Sequence, residues 1–378
     1  MKICHYMDGI WDTGGIAINI NRVATAQRAL GHEVVYIDPT GRYANEPDPN
    51  RRPITVAPER LAAESRKLGI DVLHLHSNVD PWPFGGPPAV RTVHEHRPYC
   101  PSGERYLKRS AVPCDRVYGP LTCLQGHLWE RCGTIRPWGM AANFAAIRHE
   151  LRTLRGVPVI AISEYVKEQM IRTGYGGENI HVLLNPAPNP RPFGPPIRDG
   201  VPRFLFLSRL AIHKGLQWIL RSVSKVGREI AIDVAGKGPQ RPEMEALAAS
   251  LGLSDSVKFH GWVDEVGIDA LCAASRAMMF TAVWHEPAGL ATFDASARGR
   301  AVIASISGGI PEYALEGQNA LLVPPNDDEA LASAIRRLVD DPGLAQQLGE
   351  GGHALASGRY SLSRHITDLH ALYDSMGR

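Results

Sequence analysis

The sequence predicts an α/β protein made of two doubly wound, parallel-sheet (Rossmann-like) domains facing a cleft. Three observations lead there. Short apolar runs alternate with amphipathic helical stretches from one end of the chain to the other. The length of 378 residues suits two domains. From Pro186 to Pro202 there are seven prolines, a density that neither a helix nor a central strand accepts, so the stretch reads as a stiff connection.

In the first half the strand-sized runs are Lys2–Met7, Glu33–Asp38, Asp71–Ser77, Arg91–His96, Val157–Ser163 and Ile180–Asn185. Ala17–Leu30 and Pro58–Leu68 are helical stretches between them. In the second half the runs are Arg203–Leu210, Ile230–Ala235, Val257–His260, Ala277–Thr281, Ala301–Ala304 and Ala320–Val323. Strand-length runs separated by helix-length stretches make βαβ units. Their near-unbroken hydrophobicity fits strands covered on both faces. The domains therefore take residues 1–190 and 203–359, with 191–202 as the linker. One segment, residues 98–137, breaks the alternation and carries Cys100, Cys114, Cys123 and Cys132. A loop that long is functional or is held by something other than a core.

Composition removes several classes of function. A net charge of +2 argues against a dedicated nucleic-acid binder. Asp8 and Asp12 stand where a secretory leader needs an apolar run, and no stretch is long enough to span a membrane. The expectation is a cytoplasmic protein. The charge is uneven, however: Arg97 to Arg155 holds ten Lys and Arg against four Asp and Glu. That asymmetry suggests an acidic partner, or peripheral contact with an anionic inner membrane face. A solvated basic face is the bland alternative.

The chemistry-bearing residues concentrate in the second half. Trp284-His-Glu-Pro-Ala-Gly-Leu-Ala-Thr-Phe-Asp294 follows a strand and opens a helix at Gly289 and Leu290, offering backbone N–H groups and a positive dipole end to phosphate. Glu286 sits in the turn, and Asp294 a turn and a half into the helix. Arg209 and Lys214 follow the first strand of this half, where a fork and a point charge can meet one diphosphate. Gly236 and Gly238, and the turn Gly308-Gly-Ile-Pro-Glu312, are places where backbone can approach a ligand closely.

Taken in order, these pieces resemble the retaining glycosyltransferases of family 4, which have the GT-B fold. The Glu-x7-Glu motif of that family corresponds to Glu286 through Asp294, and its diphosphate-binding pair to Arg209 and Lys214. Gly14-Gly15 resembles its glycine loop, Thr92-Val-His-Glu95 its His-Asp pair, and Tyr360–Met376 (within 360–378) its helix returning to the first domain. The chain departs at Asp294, one methylene shorter than Glu, at Ala288 in place of an aromatic, and at Asn185-Pro-Ala-Pro.

The resemblance implies an acceptor-binding first domain and a donor-binding second one. It implies transfer of a sugar, with retention, from a nucleotide diphosphate sugar (UDP-sugar foremost) to a hydroxyl acceptor such as a glycan, lipid-linked glycan or secondary metabolite. Glu286, His94, Arg209 and Lys214 would be catalytic. Gly14, Gly15, Gly236, Gly238, Gly289, Leu290 and Asp294 would bind the donor. No catalytic metal is expected. The basic loop points to an anionic acceptor.

Two other readings stand beside it: a relative that is an epimerase or phosphorylase, and a metal-stapled binding protein without catalysis. For Cys100, Cys114, Cys123 and Cys132, structural zinc, thiols and disulfides are all open, since the loop needs a staple but lacks a Cys-x2–4-Cys knuckle. His74 and His76, on a strand, read as satisfied core residues.

Overall fold

A computed structural model describes residues 1–12, 14–83, 85–196 and 200–376. The chain forms two compact units. One comprises Met1–Glu104, Arg116–Pro186 and the segment from Leu362 onward; the other comprises Arg105–Asp115 and Ala187–Ser361. Residues 197–199 of the expected linker lie outside the described residues.

The strands, in chain order, are β1 (Lys2–Tyr6), β2 (Glu33–Ile37), β3 (Val72–Leu75), β4 (Ala89–Val93), β5 (Tyr106–Leu107), β6 (Val112–Pro113), β7 (Val159–Ala161) and β8 (Ile180–Val182). They continue as β9 (Arg203–Leu207), β10 (Ala231–Ala235), β11 (Val257–Gly261), β12 (Ala277–Phe280), β13 (Ala301–Ser305) and β14 (Ala320–Val323). Every strand-sized run read from the sequence contains or overlaps one of them.

In the first unit six strands form a parallel sheet in the order β2-β1-β3-β4-β7-β8. β3 is buried along its whole length, His74 included, as suits a strand covered on both faces. The helix Glu164–Thr173 shows how sequence sets an element's ends. Ser163 caps it by accepting from the Val166 N–H, and Gly174 closes it at a φ of 110°. The last helix, Leu362–Met376, belongs to this unit. Its Ile366, Leu369 and Tyr373 pack with Ile3, Val23, Val72, Val90 and Ile160.

The second unit holds a parallel sheet in the order β11-β10-β9-β12-β13-β14. Strand order reverses between β9 and β12. At such a switch point neighbouring connections leave on opposite faces and open a crevice outside the carboxyl ends of the strands. Arg209 and Lys214 follow β9, and Glu286 follows β12, so the fold delivers all three to that position.

The cysteine-bearing segment departs from the expectation that it lies wholly in the first domain. Arg105–Asp115 is an antiparallel hairpin, β5 against β6, that belongs to the second unit. Tyr106 is 1% exposed in the same core cluster as Phe204, Trp218 and Leu216. Burial of an aromatic ring outweighs proximity in sequence. The segment also contains a helix, Pro120–Trp129, that periodicity did not reveal. Its Leu121, Leu124 and Leu128 are exposed, so its apolar residues mark no core-facing stripe. Tyr106→Ala is expected to destabilise the second unit by about 3 kcal/mol, read as a lowered denaturation midpoint; an unchanged midpoint would show that the hairpin is not part of that core.

Candidate functional site

In the second unit the site is built around one charge pair. Lys214 Nζ donates to both carboxylate oxygens of Glu286, at 2.8 and 2.9 Å, and each side chain is only 13% exposed. Trp284 Nε1 donates to Glu286 Oε2 as well. Lys214 Nζ also lies 4.9 Å from the centroid of the Trp284 ring, which adds a cation–π contact. Cation and carboxylate neutralise each other where neither is well hydrated.

Glycines let the backbones that carry these groups close in. At Gly215 a Cβ would stand 1.9 Å from the Thr281 carbonyl oxygen, so the turn bearing Lys214 fits against the end of β12 only without a side chain. At Gly308 a Cβ would stand 2.2 Å from the Glu286 carbonyl oxygen, and the next residue, Gly309, donates its N–H to that oxygen at 2.7 Å. The Gly308–Glu312 turn therefore fixes the peptide of Glu286. The Gly236–Gly238 turn closes in the same way on Ser208 and Leu210, beside Arg209. Arg209 itself is exposed.

Gly289 precedes the helix Leu290–Ala297. Asp294, on that helix, accepts from Arg298 Nη1 at 3.1 Å, and Arg298 also pairs with Asp269 at 2.6 Å. Next to Lys214 in the chain, the His213 ring lies tilted against Trp284 at 4.6 Å and near the Tyr106 ring at 6.4 Å. Burial, helped by Lys214, Arg209 and Lys108, pulls the His213 imidazole down to about 3, so it is neutral. His285 binds Asp115 of the hairpin at 2.8 Å. The Tyr106 and Asp115 contacts were not legible in the sequence, because roughly a hundred residues or more separate the partners.

In the first unit, Gly14 caps the helix Gly15–Ala29. His94 follows β4 and is buried, as are His5 on β1, His74 on β3 and His76 just past the end of β3. Burial lowers His5 to about 4 and His94 to about 3, and it drives His74 and His76 well below the ordinary range. All four rings are neutral in the folded protein, whereas in an unfolded chain they protonate near pH 6.5. The unfolded state therefore takes up protons first as pH falls. We expect the first unit to keep its full histidine contribution above about pH 6.5 and to lose it progressively down to about pH 4, at up to about 1.4 kcal/mol per pH unit for each histidine. Thermal unfolding across this range checks it; a melting temperature flat between about pH 7 and pH 5 would contradict it.

Cys100, Cys123 and Cys132 lie in the first unit and Cys114 in the second; Cys132 is buried, the other three half-buried. Among the described residues no helix is long and apolar enough to cross a membrane.

Two six-stranded parallel sheets, the second with Arg209, Lys214 and Glu286 following the strands at its switch point, are the architecture of a class: the glycosyltransferases of the GT-B fold. Sequence comparison agrees. Residues 13–188 match the family model described as Glycosyltransferase Family 4, and residues 191–354 that described as Glycosyl transferases group 1. The chain belongs to the family-4 glycosyltransferases.

It is similar to the lipopolysaccharide core biosynthesis glycosyltransferase LpsD of Rhizobium meliloti, with 34% identity over 43% of this chain and 46% of the relative. The chain spans about half the length of several such curated relatives. Alpha-maltose-1-phosphate synthase of Mycolicibacterium smegmatis is 25% identical over 94% of this chain and 93% of its own. Among solved structures, Anabaena HepE in complex with UDP superposes with a TM-score of 0.72 at 18% identity, over 99% of this chain and all of that one; at that identity the likeness shows the fold.

Proposed function

We propose that this protein transfers a sugar from a nucleotide diphosphate sugar, a UDP-sugar foremost, to a hydroxyl acceptor, with retention at the anomeric carbon. The observation that carries the proposal is the Lys214–Glu286 pair at the β9/β12 switch point, with Arg209 following the same strand. A diphosphate would bring two negative charges to Lys214, now paired with Glu286, and to the exposed Arg209. Lys214 would turn from Glu286 to the phosphate oxygens, Arg209 would fork onto them, and the Gly289 and Leu290 N–H groups would complete the cradle. Glu286, released from Lys214 but still held by Trp284, would accept from hydroxyls of the donor sugar. Asp294 would meet the ribose, and Gly14, Gly15, Gly236 and Gly238 would let backbone approach the donor. The crystal complexes of HepE with UDP and with UDP-glucose favour uridine.

In the reaction the bond from the anomeric carbon to the phosphate oxygen breaks and a bond to the acceptor oxygen forms. Negative charge grows on the departing diphosphate, where Arg209 and Lys214 stabilise it, and this is the largest catalytic term available. The acceptor proton passes to the departing phosphate oxygen, so no side chain has to act as base. Front-face attack accounts for retention, and Glu286, held by Trp284 and accepting from hydroxyls of the donor sugar, is not the nucleophile of a retaining glycosidase.

The first unit would bind the acceptor, with His94 touching the sugar. Exposed Leu121, Trp129 and Trp138 among Arg131, Arg136 and Arg148 favour an acceptor at an anionic membrane surface. Four thiols in the connecting segment suit structural zinc as a staple by ligand chemistry.

A thermal-shift screen of UDP-, GDP-, ADP- and dTDP-sugars should identify a stabilising donor. NMR of the product should then show an anomeric configuration unchanged from that donor. Donor conversion that needs no acceptor would point instead to an epimerase, and an inverted product would overturn retention.

A further inference from the structure

We infer that Gln27, acting through His5 and His76, fixes the ring tautomer of His94, so that its proton sits on Nε2 and the bare Nδ1 lone pair is offered to a hydroxyl of the donor sugar. The last clause rests on the placement of His94 proposed above; the relay itself does not.

The polarity of the relay follows from one end. Gln27 Oε1 lies 2.8 Å from His5 Nε2, and a carbonyl oxygen only accepts, so that nitrogen carries the proton. His5 is buried and neutral, which leaves Nδ1 bare. His76 Nε2 lies 2.9 Å from that Nδ1 and must donate to it. The bare Nδ1 of His76 then receives the proton of His94 Nε2, also at 2.9 Å. The rings lie nearly parallel along the way, His5 on His76 at 19° and His76 on His94 at 26°. On its other side the Gln27 amide nitrogen faces His370 Nε2 at 3.5 Å, which leaves Oε1 toward His5. Beside this chain the Tyr373 hydroxyl lies 2.6 Å from His74 Nδ1, and His74 Nε2 lies 2.6 Å from Thr92 Oγ1.

His5, His74 and His76 bring ring nitrogens within 4.8 Å of one another. Every ring nitrogen of the three is spent in the bonds just described, so the cluster is a relay of neutral rings rather than a set of metal ligands. Burial of each ring disfavours the imidazolium that would scramble the order. A His94 fixed in this way accepts a hydrogen bond and does not shuttle a proton. Gln27, His5 and His76 are positioning residues, comparable to the partner that holds a catalytic imidazole in one tautomer. The donor sugar it suits carries a hydroxyl at this contact, and a deoxy sugar there would leave the lone pair unmet.

The test is ¹H–¹⁵N correlation of the imidazole rings in the ligand-free protein, with His94 assigned by difference against His94→Gln. Protonated and bare ring nitrogens are widely separated in such spectra. The relay predicts a single His94 tautomer with hydrogen on Nε2 at neutral pH, and a mixture of both tautomers in Gln27→Met, which keeps the volume but removes the acceptor. A His94 protonated on Nδ1 or on both nitrogens, a stoichiometric metal ion bound at His5 and His76, or an unchanged single tautomer in Gln27→Met would each overturn it. Should Gln27→Met not fold, the wild-type spectrum decides alone. Contact with the sugar is read separately, from turnover of UDP-glucose by His94→Gln. Normal turnover there removes the sugar contact and leaves the tautomer result standing.

Discussion

Lys214→Ala is expected to slow sugar transfer by about 30- to 1,000-fold, a loss of about 2–4 kcal/mol at the transition state. Two effects add. The departing diphosphate loses a cation aimed at its growing charge, and Glu286, 13% exposed, is left without its ionic partner. Glu286→Gln should lose transfer on a similar scale while keeping the fold, because its amide still fits beside Trp284 but no longer pairs with Lys214 or accepts at both oxygens. The pair should be non-additive: Lys214→Ala with Glu286→Gln should cost less than the two single losses together, since the double change strands no charge. Donor kinetics of the three variants check this. Strict additivity would mean that the 2.8 Å contact does no work in the protein.

Gly308→Ala is the substitution expected to damage the fold and the site together. Gly308 has φ of 59°, and its Cβ would lie 2.2 Å from the carbonyl oxygen and 2.7 Å from the amide nitrogen of Glu286. Backbone on that side cannot swing away as a side-chain tip can, so either the Gly308–Glu312 turn or the Glu286 peptide must move. We expect a loss of about 3 kcal/mol or more, accompanied by weakened donor binding. Gly227→Ala is the control. Its φ is 65° but nothing lies within 4 Å of the added carbon, so only about 1 kcal/mol of backbone strain should appear, with donor binding intact. Equal midpoints for the two variants would show that the close approach to Glu286 is not a constraint.

Much of this arrangement is written locally. The strands announce themselves because a strand covered on both faces has to be largely apolar, as Val302 to Ala304 is throughout and Val72 to Leu75 is but for His74. Arg209, Lys214 and Glu286 announce themselves because each follows a strand directly, and the parallel topology then carries strand ends to one edge of the sheet. What the sequence hides is partnership across distance. Tyr106 looks like part of an irregular loop until its ring is found in the core of the second unit. His76 reads as a core histidine and His94 as a site residue with no link between them or to His5, since nothing in their spacing says that β1, β3 and β4 are neighbours. Asp294 could be read as one methylene short of the family's Glu, but its pairing with Arg298 is a property of a helix whose register had to be seen.

The central claim is that the second unit binds a nucleoside diphosphate through Arg209 and Lys214. Calorimetric titration with UDP, of the wild-type protein and of the variant carrying both Arg209→Ala and Lys214→Ala, tests it most directly. The account predicts saturable one-to-one binding to the wild type, weakened in the variant by about 100-fold or more, the scale of two lost charge-assisted contacts. Equal affinity of the two proteins for UDP, or no binding of UDP, GDP, ADP or dTDP by the wild type, would contradict it.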